Sequence, residues 1–373
     1  MIYLDYSATT PVLEEVLDTY IKTTRDFIGN PNSIHYEGNR SRELLIKAKT
    51  QISNIFNVKN NEIIFTSGSS ESNSSAILGV ARKYKNRGKH IISTYLEHKS
   101  VLDTLDYLSL EGYEISYVKL QENGQIDLKD LESLIRKDTI LLTVCAVNSE
   151  VGYKAPLKTI RQIVNKKNKL TIIHSDMTQA LGKTNFNLND VDLASFSGHK
   201  IYAEKGIGIL YKKEDINITP LIFGTTSNTP FRGGTPSLPL IVSLSKAVRM
   251  ITENLEEDIK YVEKLKNMII KSMEKYDVII NSNSLCVPHI VNLSLMNIKS
   301  ETFVRAIERY NIYISTNTAC SSLEESSAIK AISDDKRRST STIRISLSKY
   351  TTVEEIKEFI RVFDLVYNSF IRS

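Results

Sequence analysis

Short apolar runs alternate with segments of helical spacing through the first 212 residues of the chain. The runs "EIIFTSG" (62–68), "KHIIST" (89–94), "EISYVKL" (114–120), "TILLTVCAV" (139–147), "LTIIHSD" (170–176), "DLASFSG" (192–198) and "GIGILYK" (206–212) predict buried strands. Between most of them lie stretches such as "HKSVLDTLDYLSLEG" and "PLKTIRQIVNKKNK", whose apolar residues recur at helical intervals. Such alternation predicts an α/β fold, a mostly parallel seven-stranded sheet with helices on both faces. From Ile241 to about Tyr276 the pattern is one long helix, and after it the order becomes mixed, with "HIVNLSL", "YIST" and "TIRISLS" as strands among helices. A second, smaller α+β domain is expected there. Its last helix opens at Thr352 with Glu355 three residues on, the spacing of a capping box.

Composition narrows the function classes. At 373 residues and 41% hydrophobic the chain can bury a large core, and 48 basic against 43 acidic residues leave a net charge of only +5. Basic runs such as "NKKNK" (165–169) read as solvated helix ends, so no nucleic acid is expected as a partner. The first ten residues lack a basic leader, and the longest apolar stretch, Ile140 to Val147, is too short to span a bilayer, so a cytoplasmic protein without a membrane partner is expected. Cys145, Cys286 and Cys320 form no CxxC and no metal-ligand spacing, which argues against a disulfide framework and a metal site. Cys145 inside "LLTVCAV" and Cys286 before "PHIVNLSL" read as structural. Cys320, in the polar "STNTACSSLEESSAI", reads as an exposed thiol on a mobile loop, and exposed thiols are uncommon unless their reactivity is used.

In a parallel sheet, ligands bind outside the carboxyl ends of the strands, so the residues just after each strand carry the candidate chemistry. "EIIF" is followed by "TSGSSES", where Gly68 permits a tight turn and Ser69 and Ser70 open a helix with free amides and hydroxyls. Alone this is a good helix N-cap; it also suits a phosphate. "KHIIST" is followed by His98, which alone reads as a capping residue, and "TIIHS" by Asp176 and, just beyond, Gln179. After "SFSGH" stands Lys200. A phosphate cradle, an aromatic ring, an acid, an amide and a lysine on one edge match the needs of pyridoxal 5'-phosphate: a Schiff-base lysine, an acid on the pyridinium nitrogen and a phosphate seat.

The stretches "YLDYSATTPV", "GNPNSIH", "EIIFTSGSSES", "LEHKSVLDT", "SDMTQALGK", "SFSGHKIY" with "KGIGILY", "RGGT", "STNTACSS" and "TIRISLS" follow in the order and approximate spacing of one family. Over essentially its whole length the chain resembles the NifS/IscS-like cysteine desulfurases of the class V aminotransferase group, pyridoxal-phosphate enzymes of fold type I. The resemblance implies a large cofactor-binding domain at 11–250 and a small domain, formed by 1–10 and 251–373, that carries the catalytic-cysteine loop. It implies that Lys200 holds the cofactor, Asp176 pairs with the pyridine nitrogen, Gln179 bonds the phenolic oxygen, and His98 stacks on the ring and moves protons. Ser69, Ser70, Ser197 and His199 would seat the phosphate, with Thr235 of "RGGT" reaching in from a second subunit of a homodimer. Arg344 would receive the carboxylate of L-cysteine, and Cys320 would take its sulfur as a persulfide, leaving alanine. The sulfur would pass to an acceptor protein, an iron–sulfur scaffold or a tRNA-thiolation protein.

The sequence departs from the family in three places. Ser149 in "VNSEVG" replaces an asparagine expected to contact cofactor and substrate; "FGTTSNTPFRGGT" replaces a stretch with Gln or His before Glu; and "KIYAEKG" replaces the usual Gly-Pro-Lys-Gly. These leave open a selenocysteine lyase, an aminotransferase, or a sulfur-relay protein with little catalysis of its own.

Overall fold

A computed structural model of the chain describes residues 1–224, 229–316 and 325–371. Seven strands form the main sheet: β2 (Ile63–Thr66), β3 (His90–Ser93), β4 (Glu114–Tyr117), β5 (Thr139–Thr143), β6 (Ile172–Asp176), β7 (Leu193–Ser197) and β8 (Gly208–Lys212). Their order is β2-β8-β7-β6-β5-β3-β4, and only β8 runs antiparallel to its neighbours, so the carboxyl ends of the other six share one edge.

The apolar runs are continuous because both faces are covered. Within one strand, successive residues enter different cores: Ile92, Leu142, Ile173 and Ala194 pack on one face, and Ile91, Leu141, Ile172 and Leu193 on the other. The helices Tyr36–Phe56 and Leu238–Thr252 cover the first face, and Ser69–Tyr84 and Lys99–Leu110 the second. The exception is β4, which stands at the sheet's edge with Glu114 exposed rather than buried as its sequence suggests. Periodicity over four residues does not register the absence of a neighbour.

The 241–276 pattern resolves into two helices, Leu238–Thr252 and Leu255–Met273, because Asn254 leaves the helical region between them. Beyond them β9 (Ile279–Ile280), β10 (Ile290–Ser294) and β12 (Thr342–Ser346) form an antiparallel sheet, order β12-β10-β9. Its own core joins Leu265, Val291, Phe303, Ile343 and Phe359, and it takes in Leu4 from the start of the chain. There β1 (Ile2–Tyr3) pairs in parallel with β11 (Ile312–Tyr313). The expected capping box closes the start of the last helix, with Glu355 N–H donating to Thr352 Oγ1 at 3.1 Å and Thr352 N–H to Glu355 Oε2 at 2.8 Å. Among the described residues, no helix is long and apolar enough to cross a membrane.

Candidate active site

At the shared edge of the sheet lies a cavity of about 570 Å³, lined among others by Ser69, His98, Ser149, Asp176, Gln179, Lys200 and Arg344. Strands β2, β3, β5, β6 and β7 each deliver one wall through the residues that follow them.

The turn after β2 and strand β8 touch at backbone level. A Cβ on Gly208 would stand 2.6 Å from Gly68 Cα, so a side chain there would push the turn away. The first hydrogen bond of the helix Ser69–Tyr84 runs from Ser72 N–H to Gly68 O, which leaves the amides of its first turn pointing out of the helix. Ser69 lines the cavity, whereas Ser70 is exposed beside it. Ser197 is buried facing this turn: a Cβ on Gly68 would lie 3.7 Å from its hydroxyl. His199 turns its Nδ1 to Thr9 Oγ1 at 3.1 Å, and burial, with the charges of Lys200, Lys205 and Lys183, pushes its pKa down to about 4. His199 is therefore neutral at pH 7.

Asp176, 6% exposed, ends β6 and accepts from Asn73 Nδ2 at 2.7 Å and from Thr178 N–H at 2.9 Å. Among the described residues it makes no ion pair, and a buried carboxylate held only by neutral donors calls for a cation in front of it. Beneath it His174 is clamped between Thr143 Oγ1 (2.8 Å) and Ser195 Oγ (3.0 Å), its pKa pushed down to about 4 by burial against the opposing charge of Asp176. The unpaired acid, the amide-rich turn and the lysine fit the pyridinium nitrogen, phosphate and carbonyl carbon of pyridoxal phosphate.

Lys200 sits on a single 3₁₀ turn after β7, and its Nζ donates to the carbonyls of Ser7 (2.7 Å) and Ala8. Gln179 Nε2 shares the Ser7 carbonyl at 2.9 Å, and its oxygen accepts from Lys183 Nζ at 2.7 Å. Burial, with Lys200 and Arg344 nearby, pushes the Lys183 ammonium well below the ordinary lysine value. His98 caps the helix Lys99–Leu110: Ser100 N–H donates to its Nδ1 at 3.1 Å, which assigns the ring proton to Nε2 in the neutral form.

Several neighbours of the site carry no motif of their own. Glu97 is buried behind His98, accepting from Cys145 N–H (2.8 Å) and Thr94 Oγ1 (3.0 Å), while its Oε2 has no partner among the described residues. Burial, reinforced by the charge of Asp176, pushes its pKa up to about 8. Asp5, quoted in "YLDYSATTPV" without a role, pairs with Arg344, and Asn73 holds Asp176.

The thiols divide as follows. Cys145 lines the cavity but is buried, its thiol pushed well above the ordinary value by burial and by Glu97 and Asp176. Burial pushes Cys286 up to about 11. Neither is a thiolate at pH 7. Cys320 lies outside the described residues. Thr235 lines a different cavity, of about 700 Å³, with Ser67 and Arg232, and does not reach Lys200 within its own chain.

Comparison with known proteins identifies the family. The profile of the family "Aminotransferase class-V" matches residues 2–359. The human protein named cysteine desulfurase is 37% identical over 363 residues, covering 95% of this chain and 79% of its own. Cysteine desulfurase IscS of Neisseria meningitidis is 36% identical, covering 95% and 89%. Among solved structures, a "NifS-like protein" superposes with a TM-score of 0.93 at 35% identity, covering 98% of this chain and 99% of its own. One titled "SspA in complex with cysteine" superposes at 0.82 with 30% identity, covering 94% and 100%. The chain thus belongs to the class V aminotransferase family of pyridoxal-phosphate-dependent enzymes, in its NifS/IscS-like cysteine desulfurase group.

Proposed function

We infer that the protein is a cysteine desulfurase that converts L-cysteine to L-alanine and leaves the sulfur as a persulfide on Cys320. The observation that carries the reading is the convergence of Lys200, Asp176 and Arg344 on one cavity. Bound pyridoxal phosphate supplies an electron sink conjugated to the substrate Cα. Lys200 would hold the group covalently and move the Cα proton from its Nζ, which the Ser7 and Ala8 carbonyls already orient. Asp176 would keep the ring nitrogen protonated, Gln179 would bond the phenolic oxygen, and His98 would cover the ring and exchange a proton at Nε2. Ser69, Ser70, Ser197 and neutral His199, with the first-turn amides of the helix Ser69–Tyr84, would seat the phosphate. Arg344 would take the substrate carboxylate on its planar donors. Ser149, which lines the cavity with a hydroxyl in place of the carboxamide of the family's asparagine, would leave room beside the substrate.

We assign 11–250 to the cofactor-binding domain and 1–10 with 251–373 to the small domain, in keeping with the separate core around Phe303 and Phe359 that incorporates Leu4. Thr235 would complete the phosphate seat of a partner subunit, which makes the working unit a homodimer. The acceptor of the persulfide sulfur would be a carrier protein of the iron–sulfur scaffold or tRNA-thiolation kind, and the compartment the cytoplasm.

The test is to incubate the purified, cofactor-loaded protein with cysteine and assay alanine and sulfide, beside Cys320→Ser. The wild type should yield alanine and a Cys320 peptide heavier by one sulfur. Cys320→Ser should bind cofactor and cysteine but release no alanine, because a hydroxyl is a poor nucleophile toward sulfur and cannot hold a persulfide. Wild-type alanine production by Cys320→Ser would refute the reading.

A further inference from the structure

The segment that follows β6 is a compact turn. Ala180 N–H and Leu181 N–H donate to Met177 O at 2.9 and 3.2 Å, and Lys183 N–H and Thr184 N–H to Ala180 O, each at 3.0 Å. Gly182 stands at φ +72°, and a Cβ on it would come 2.5 Å from Ile251 Cδ1 on the helix Leu238–Thr252, so the turn is seated directly on that helix. Lys183, four residues after Gln179, is held beside it.

These hydrogen bonds leave the Gln179 amide one orientation. Ser7 O can only accept, so the amide atom on it at 2.9 Å is Nε2, and Lys183 Nζ donates to Oε1 at 2.7 Å. Turned over, the amide would set oxygen against oxygen and its NH2 group against a donor. Nε2 shares the Ser7 carbonyl with Lys200 Nζ, so the donor end of the amide stands on the side of Lys200. Nε2 carries two N–H groups, of which Ser7 takes one, and the second remains available to an acceptor in the cavity that Gln179 and Lys200 both line.

A cation is a costly donor in this place. Around Lys183 lie Lys200, Arg344, His199 and His289, and across a second cavity, which Lys183 borders, the pair Asp258–Lys349 at 2.8 Å. Asp258 is the one acid of this group, and Lys349 already neutralises it. Burial, followed by the charges of Lys200 and Arg344, disfavours the Lys183 ammonium. A neutral donor would hold the Gln179 oxygen without that cost. What favours a lysine is negative charge on the far side of the amide, and the phenolic oxygen of pyridoxal phosphate supplies it.

We propose that Lys183 is a positioning residue for the cofactor's phenolic oxygen: acting through Gln179, it keeps the donor end of the amide toward Lys200 and lowers the proton affinity of the linkage between Lys200 and the cofactor. The inference rests on the reading that Lys200 holds pyridoxal phosphate and Gln179 bonds its phenolic oxygen. A hydrogen bond to a charged oxygen favours the charged form. Polarised at Oε1, the amide donates more strongly from Nε2, and the phenolic oxygen then competes less for the proton on the Lys200 nitrogen.

The experiment titrates the absorbance of the bound cofactor against pH, without substrate, in the full chain and in Lys183→Met, Lys183→Arg, Gln179→Ala and the Lys183→Met/Gln179→Ala double variant. Methionine matches lysine closely in length and borders open space, so Lys183→Met should fold and load cofactor. Its midpoint should rise by about one pH unit, a tenfold gain in proton affinity. Lys183→Arg, which keeps a charged donor and has the cavity to accommodate its extra length, should stay within about 0.3 unit of the wild type. In the Gln179→Ala background the effect of Lys183→Met should fall to less than about half, because the lysine acts through the amide. An unshifted midpoint in Lys183→Met, an equal shift in Lys183→Arg, or full additivity with Gln179→Ala overturns the inference. Borohydride reduction of the wild type, run alongside, tests the reading beneath it: reduced cofactor on any peptide but that of Lys200 would indict that reading instead.

Discussion

The guanidinium of Arg344, 1% exposed, donates from Nη2 to Asp5 Oδ1 at 2.7 Å, so the proposed substrate arginine carries an internal counter-charge from the start of the chain. Among the described residues its Nε is buried without a partner, which leaves donor capacity for an incoming carboxylate. Asp5→Ala should therefore destabilise the chain by about 2–3 kcal/mol, less than the roughly 3–5 kcal/mol for a fully buried pair because Asp5 keeps some contact with water. Added alanine, whose carboxylate replaces the missing charge, should raise the melting temperature of Asp5→Ala more than that of the wild type. Equal shifts would separate Arg344 from carboxylate binding.

Lys200→Ala should abolish both covalent cofactor attachment and turnover. Borohydride treatment followed by peptide mass analysis should find the reduced cofactor on the Lys200 peptide of the wild type and on no peptide of the variant. An active Lys200→Ala protein would remove the basis of the site.

Glu97 predicts a pH dependence. Its folded pKa of about 8 lies above the unfolded carboxyl value, so its contribution is full below that unfolded value and is lost as pH rises toward 8. Between these limits the folded state holds one more proton than the unfolded one, and stability should fall by roughly 1.4 kcal/mol per pH unit from this group. Denaturant unfolding of the cofactor-free chain should show the slope between about pH 5 and pH 8, and Glu97→Gln should flatten it. An unchanged slope in Glu97→Gln would place the titration elsewhere.

The two-subunit phosphate seat can be tested by complementation. Lys200→Ala and Thr235→Ala should each be impaired, the second in cofactor retention. After subunit exchange in equal mixture, half the dimers are mixed and each has one intact site, so about a quarter of wild-type activity should return. If Thr235 served its own chain, mixing would restore nothing.

Lys200, Asp176, Gln179 and His98 are legible in the sequence because each ends or follows a strand, and strand ends in a parallel sheet share an edge whatever the loops do. Their partners are not. Asp5 meets Arg344 across 339 residues, Asn73 meets Asp176 across 103 and Glu150 meets Ser326 across 176, contacts that no local pattern encodes. The exposed edge of β4 and the break at Asn254 escaped for a related reason: apolar spacing reports which residues prefer burial, not whether a neighbour is there to bury them. Thr235 was legible as a motif, yet the cavity it lines in its own chain is not the one around Lys200.

The opening decapeptide, whose Ser7 carbonyl serves both Lys200 and Gln179 and whose Asp5 serves Arg344, has a consequence for the order of assembly. On the ribosome these residues are made well before their last partner, which lies 339 residues downstream, roughly 20–70 s away at ordinary elongation rates. The nascent sheet can begin to close around its own strands in that interval, while the opening segment waits for a sequence not yet translated. The site should thus be among the last parts of the molecule to mature, and cofactor capture should lag behind the appearance of β-structure during synthesis.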